Sequence, residues 1–143
     1  MNMRHRMYAE LESKSENEAY ARVIVAAFCA RLNPTIPELE DVKMAVSEAV
    51  TNAIIHGYPE EEGIVHVEVL LEEEAARCVQ IRIWDDGVGI EDVTRAMEPL
   101  FTTKPDEERS GMGFAFMEIM MDELKVESVF GKGTCISMKK KFN

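Results

Sequence analysis

One stretch constrains this chain more than any other: Val79-Gln-Ile-Arg-Ile-Trp-Asp85. Apolar residues at every second position predict a β-strand with one face in a core. The same period puts Asp85 on that inward face, in line with Val79, Ile81 and Ile83. A buried carboxylate is costly unless donors reach it. The strand runs out through Asp85-Asp86-Gly87-Val88-Gly89-Ile90, where two glycines two apart permit a tight turn and close approach of a flat group to the backbone. Such an end suits a pocket for a base, with Asp85 accepting from an exocyclic amine. It suits a capped strand end with a glycine turn equally well.

The elements around that strand follow from pattern. Met7–Glu12 reads as a short first strand. Ser15 followed by Glu18 is a capping-box signature for a helix from Asn17 to about Leu32. Asn33-Pro34-Thr35 ends that helix and caps a second, with Pro37 near its start. The second helix carries Leu39, Val42, Ala45, Val46, Ala49, Val50 and Ala53 as a core-facing stripe, and Gly57 stops it. Ile64–Leu71 and Cys78–Asp85 form an antiparallel hairpin around Glu72, Glu73 and Glu74. Residues 86–110 form a loop long enough to be functional. A third helix covers Gly113 to Asp122, and Leu124–Phe130 and Thr134–Lys140 make a last hairpin. The expected fold is an α/β (α+β) two-layer sandwich: a mainly antiparallel mixed sheet with helices on one face. With 143 residues, the chain is expected to be one domain over residues 1–143.

Composition removes several functions. A net charge of −11 argues against direct binding of nucleic acid or a membrane surface, which need clustered Lys and Arg. Cys29, Cys78 and Cys135 are far apart and odd in number, without metal-ligand spacing, and read as small core hydrophobes in a reducing compartment. The N-terminus lacks the apolar run of a signal peptide, and no apolar run is long enough to span a bilayer. A cytoplasmic protein is expected.

Three further segments carry chemistry. Glu48 and Asn52, four apart, share a helix face off the apolar stripe, where a carboxylate and an amide suit a hydrated Mg²⁺. Alone, the pair also fits an ordinary solvated face. Arg109-Ser110-Gly111-Met112-Gly113 precedes a helix, so backbone N–H groups there favour an anion, although the spacing matches neither a P-loop nor a dinucleotide fingerprint. From Asp85 to Glu108 there are eight acids and two bases, so phosphates need Mg²⁺, helix-end N–H groups and the few cations nearby. In Gly131-Lys132-Gly133-Thr134, the Thr134 hydroxyl shares its strand face with Ile136 and Met138 and could join Asp85 under a base; a plain hairpin turn also explains the segment.

In order, Glu48-x-x-x-Asn52, Asp85-x-Gly87-x-Gly89, Gly111-x-Gly113 and Gly131-x-Gly133-Thr134 resemble the motif boxes of the GHKL ATPase superfamily, whose nucleotide-binding domain is the Bergerat fold. Ser47-Glu-Ala-Val-Thr-Asn-Ala-Ile-Ile-His-Gly57, Pro99-Leu-Phe-Thr-Thr-Lys-Pro105 and Arg109-Ser-Gly-Met-Gly-Phe114 are similar to the anti-sigma F factors of spore-forming bacteria, as is the early Ser15-Glu-Asn-Glu with Ala21-Arg22-Val23. The resemblance implies a serine protein kinase that sequesters the sporulation sigma factor, sigma F, and phosphorylates a serine of an anti-anti-sigma factor. It implies ATP/ADP and Mg²⁺ as cofactors and a homodimer. Asn52 corresponds to the Mg²⁺-binding asparagine, Glu48 to the general base and Asp85 to the adenine-binding aspartate, with Gly87 and Gly89 beside the base. Thr102, Thr103, Lys104, Arg109, Ser110, Gly111, Met112 and Gly113 belong to the lid and phosphate turn, with Arg109 placed with Glu48 in catalysis. Thr134 supports the adenine pocket, and Arg22 corresponds to a contact for the protein partners.

Other readings separate cleanly. A histidine kinase needs a phosphoacceptor histidine on a dimerisation helix pair before the ATP site, and His5, His56 and His66 are each misplaced for that role. Gyrase-type and chaperone ATPases need transducer domains for which this length leaves no room. A stress-type anti-sigma B kinase of the same fold, and a module that binds nucleotide without turnover, are the alternatives.

Overall fold

The computed structural model describes residues 4–98 and 113–143. The chain runs β1 (Arg4–Glu12), α1 (Asn17–Cys29), α2 (Ile36–Asn52), β2 (Ile64–Glu72), β3 (Cys78–Asp85), α3 (Val93–Ala96), α4 (Gly113–Met120), β4 (Glu123–Val129) and β5 (Gly133–Lys141). The strands form one sheet in the order β1-β2-β3-β5-β4. Its four ladders are all antiparallel, so the expected mainly antiparallel, mixed sheet contains no parallel pair among the described residues. β1 starts at Arg4 rather than Met7 because it pairs along the full length of β2, from Arg4 opposite Glu72 to Glu12 opposite Ile64.

Period-2 alternation sends one row of each strand into a single core. Val65, Val67, Val69 and Leu71 of β2, Val79, Ile81 and Ile83 of β3, and Ile136 and Met138 of β5 are buried there. They meet the helical stripes Ala21, Val25 and Cys29 of α1 and Val42, Ala45, Val46, Ala49 and Val50 of α2, with Met117 of α4. Burying a Val, Leu or Ile side chain is worth about 1.5–3 kcal/mol each, which makes this layer the main support of the sheet. Among the described residues no helix is long and apolar enough to cross a membrane.

The two helix starts differ. Thr35 caps α2 with a full capping box: its hydroxyl accepts the Glu38 N–H at 3.2 Å, and the Glu38 carboxylate accepts the Thr35 N–H at 2.8 Å. The expected box at Ser15 does not form. Glu16 occupies the N-cap of α1 without a side-chain bond, and Asn17 Nδ2 instead donates to the Glu12 carbonyl at 2.8 Å. Glu18 is drawn away by tertiary partners: its carboxylate accepts the Ser47 hydroxyl of α2 and lies 3.4 Å from Arg22 Nε. The cysteines are all free; Cys29 and Cys78 are buried as expected, but Cys135 is only half-buried, on the sheet face away from the helices beside Arg82.

Candidate functional site

A cavity of about 860 Å³ opens where β3 ends. Its walls come from the end of α2, the inner rows of β3 and β5, the segment 88–98 and the start of α4. Asn52, His56, Asp85, Gly89, Gly113 and Thr134 all line it. Residues separated by as much as 82 positions in the chain therefore share one wall, because α2 lies across the inner face of the two strands that carry Asp85 and Thr134.

Asp85 is 6% exposed and is the sole buried charged residue among the described residues. Its place follows from strand period: β3 buries Val79, Ile81, Ile83 and Asp85 in one row. The Gly87 N–H donates to Asp85 Oδ1 at 3.0 Å. Burial pushes the carboxyl up to about 6; the Gly87 and Thr134 backbone N–H groups pull in the opposite direction, and neighbouring Asp86 adds to the rise.

α2 does not simply stop at a glycine cap. It widens into a π-helical turn over Ala53–Gly57. That turn sets Gly57 against β3, where a Cβ on Gly57 would lie 2.7 Å from Asp85 Cγ. The Gly57 carbonyl accepts the Val88 N–H at 2.9 Å. A Cβ on Gly87 would fall 1.8 Å from that same carbonyl oxygen, so these two backbones can touch only as glycines. Gly89 has φ +74°, the left-handed region that favours glycine. Tyr58 closes the arrangement: its hydroxyl donates to the Ile64 carbonyl and accepts the Asp86 N–H, each at 2.8 Å.

Asn52 sits at the end of α2 on the cavity wall, and its Nδ2 is buried without a hydrogen-bond partner among the described residues. A buried amide lacking a partner among these residues fits a group that receives its partner from a bound ligand. Among the described residues no three His, Cys, Asp or Glu side chains converge to hold a metal ion. An oxygen-loving cation in this cavity could take the Asn52 amide oxygen together with oxygens of a ligand.

Ser128 is a polar hub behind the far wall, one residue removed from the cavity. Its hydroxyl accepts the Ile90 N–H at 2.7 Å, donates to the Gly133 carbonyl at 3.0 Å and lies 2.8 Å from Thr134 Oγ1.

Of the residues expected from sequence, the structure brings Asn52, Asp85, Gly89, Gly113 and Thr134 together, with Gly87 behind Asp85. Glu48 is half-buried one turn before Asn52 and is not part of the cavity wall. Thr102, Thr103, Lys104, Arg109, Ser110, Gly111 and Met112 lie outside the described residues. Arg22 is on α1, with a side chain 40% exposed between the exposed Tyr20 and Val23. Gly57 as a packing glycine, Tyr58 and Ser128 escaped the sequence reading. Ser128 did leave a signal: Leu124, Val126 and Ser128 form an inward row that ends in a polar residue, as β3's row ends in Asp85.

The chain matches the histidine kinase-like ATPase domain family over residues 11–140. It is 55% identical over 140 residues to an anti-sigma F factor of Clostridium acetobutylicum, covering 98% of this chain and 96% of that protein. An anti-sigma F factor of Clostridium botulinum strain Alaska E43 is 59% identical, covering 97% of this chain and 96% of that protein. One of Geobacillus kaustophilus is 53% identical over 139 residues, covering 96% and 93% respectively. Among solved structures, the RsbU and RsbW domains of a Mycobacterium tuberculosis protein superpose with a TM-score of 0.68 at 17% identity; the match covers 96% of this chain and 32% of that one. A mycobacterial sensor histidine kinase superposes with a TM-score of 0.56 at 16% identity, covering 94% of this chain and 99% of that one. These two likenesses concern the fold.

Proposed function

The chain belongs to the histidine kinase-like ATPases and, within them, to the anti-sigma F factors, and from that premise we propose that it is an ATP-dependent serine protein kinase that sequesters sigma F and phosphorylates a serine of an anti-anti-sigma factor. It works in the cytoplasm as one domain over residues 1–143 and as a homodimer. One observation carries the nucleotide reading: Asn52, Asp85, Gly89 and Thr134, scattered along the chain, share the wall of one cavity.

In this reading Asp85 accepts a hydrogen bond from the exocyclic amine of adenine, while Gly89 and Thr134 flank the base. Asn52 would hold Mg²⁺ through its amide oxygen, and bound Mg²⁺ would neutralise phosphate charge in this acidic protein. Lys104, Arg109 and the turn Ser110-Gly111-Met112-Gly113 hold the phosphates, with Thr102 and Thr103. Glu48 takes the proton from the partner's serine hydroxyl as its Oγ–P bond forms and the bond from the γ-phosphorus to the bridging oxygen breaks, leaving ADP. A base acting on a partner's hydroxyl has to meet the partner rather than line the base pocket, which is consistent with Glu48 standing outside the cavity wall.

Radiolabelled ATP supplied with the anti-anti-sigma protein tests this. Label is expected on a serine of that protein, with transfer reduced at least about a hundredfold in Glu48→Gln while ATP binding persists. Binding of sigma F and of ATP with no label transferred by the unaltered protein would leave a sequestering module and remove the kinase.

A further inference from the structure

We propose that Ser128 fixes the hydrogen-bond polarity of Thr134 and thereby sets the preference of the cavity for a 6-amino over a 6-oxo purine. The inference deepens the nucleotide reading above and rests on it.

Donors and acceptors around Ser128 can be counted. A serine hydroxyl has one proton to donate and two lone pairs to accept with. The Ile90 N–H can only donate, and its 2.7 Å bond takes one lone pair. The Gly133 carbonyl can only accept, and its 3.0 Å bond takes the proton. What remains to Ser128 toward Thr134, 2.8 Å away, is one lone pair. Thr134 must therefore donate its own proton to Ser128, and its own lone pairs are what it has left for the cavity. Thr134 is the direct cross-strand partner of Asp85 on one side and of Ser128 on the other. Asp85, once ionised, also only accepts. The recognition edge is thus built of acceptors side by side. It matches an exocyclic amine, which donates, and opposes an oxo group, which would bring a third acceptor against two.

Ser128 does not itself line the cavity. It is a positioning residue that acts through Thr134 and, through Ile90, through the backbone that follows Gly89. Removing its hydroxyl frees the Thr134 proton to turn toward the cavity and pair with an oxo group.

The experiment measures the affinities of ATP and of inosine triphosphate, its 6-oxo counterpart, by calorimetry on the full chain. In Ser128→Ala the ratio of the two affinities is expected to fall roughly threefold to tenfold, the effect of one hydrogen bond changing sense. Ser128→Thr keeps a hydroxyl and is expected to restore it. Equal weakening of both nucleotides in Ser128→Ala, with the ratio unchanged, would overturn the assignment, since that is what mere loosening of the hairpin produces. Should Ser128→Ala fail to fold, Thr134→Val removes the same acceptor while sparing the Ile90 and Gly133 bonds; a narrowed ratio there supports the proposal and an unmoved ratio defeats it. If the unaltered protein binds neither nucleotide, the nucleotide site falls and this inference with it. If it binds ATP and only the ratio fails to move, Ser128 alone is wrong.

Discussion

Asp85 holds an acid in a place that disfavours its charge. Its carboxyl, pushed up to about 6 by burial, keeps its proton in the folded protein at a pH where the unfolded chain would have released it near 3.8. A folded-state value above the unfolded one contributes stability that is present in full below the unfolded value and is lost as pH rises through the folded one. The difference corresponds to about 3 kcal/mol, given up between about pH 4 and pH 6. Without nucleotide, the melting temperature of the protein should therefore carry a downward component across that window that is missing in Asp85→Asn. An amine donating to the carboxylate favours the ionised form, so ATP affinity should tighten from about pH 5 to pH 7 and flatten in the same variant; a wild-type affinity indifferent to pH over that range would refute the link. The position of Asp85 was readable from period alone, because three buried apolar neighbours fix the strand's inward face. The need for glycine at 57 was not, because the atoms it avoids belong to Asp85, far along the chain and brought near only by the completed sheet.

At the scale of elements, local chemistry and tertiary pull compete at each helix start. Thr35 and Glu38 satisfy each other within one turn, and the sequence signal survived into the structure. Ser15 and Glu18 have the same spacing, but Glu18 joins Ser47 and Arg22, and the local signal failed because a partner on α2 outbid it. Thr35→Ala should destabilise the fold by about 1 kcal/mol in urea unfolding while Thr35→Ser stays near the parent. A smaller effect than roughly 0.3 kcal/mol would mean the box is redundant with the Glu38 contact to the Asn143 N–H. β2 to β5 were legible to within one residue at each end, since alternation is written along each one, whereas β1 begins three residues before the expected Met7. The π-helical turn over Ala53–Gly57 was not, because nothing in its composition departs from an α-helix; it is imposed by the fit of Gly57 against β3.

For the whole molecule, the cavity and the outer face of α1 lie apart. The cavity lies between α2 and the sheet, whereas Arg22 stands on α1 among exposed Tyr20 and Val23, with its Nε buried 3.4 Å from the Glu18 carboxylate. In the anti-sigma F reading that face meets the protein partners. Arg22→Ala should weaken sigma F binding by at least about tenfold in a pull-down titration, with ATP affinity unchanged. Unchanged partner affinity would take Arg22 out of the interface, and a parallel loss of ATP affinity would show that the two surfaces are coupled. The order of the motif boxes made the site legible as a set; which side chains meet depended on α2 crossing β3 and β5, which no local pattern states.

The sheet face turned away from the helices carries a last consequence. Trp84 neighbours Asp85 in β3 but points the other way, stacked on His66 at 4.9 Å with the Arg82 guanidinium 5.3 Å from its ring. It is the only tryptophan of the chain. The protein thus has a single indole chromophore bonded directly to the residue at the floor of its cavity and outside the cavity itself. Its ultraviolet emission reports the surroundings of that one strand, free of overlap from any other indole.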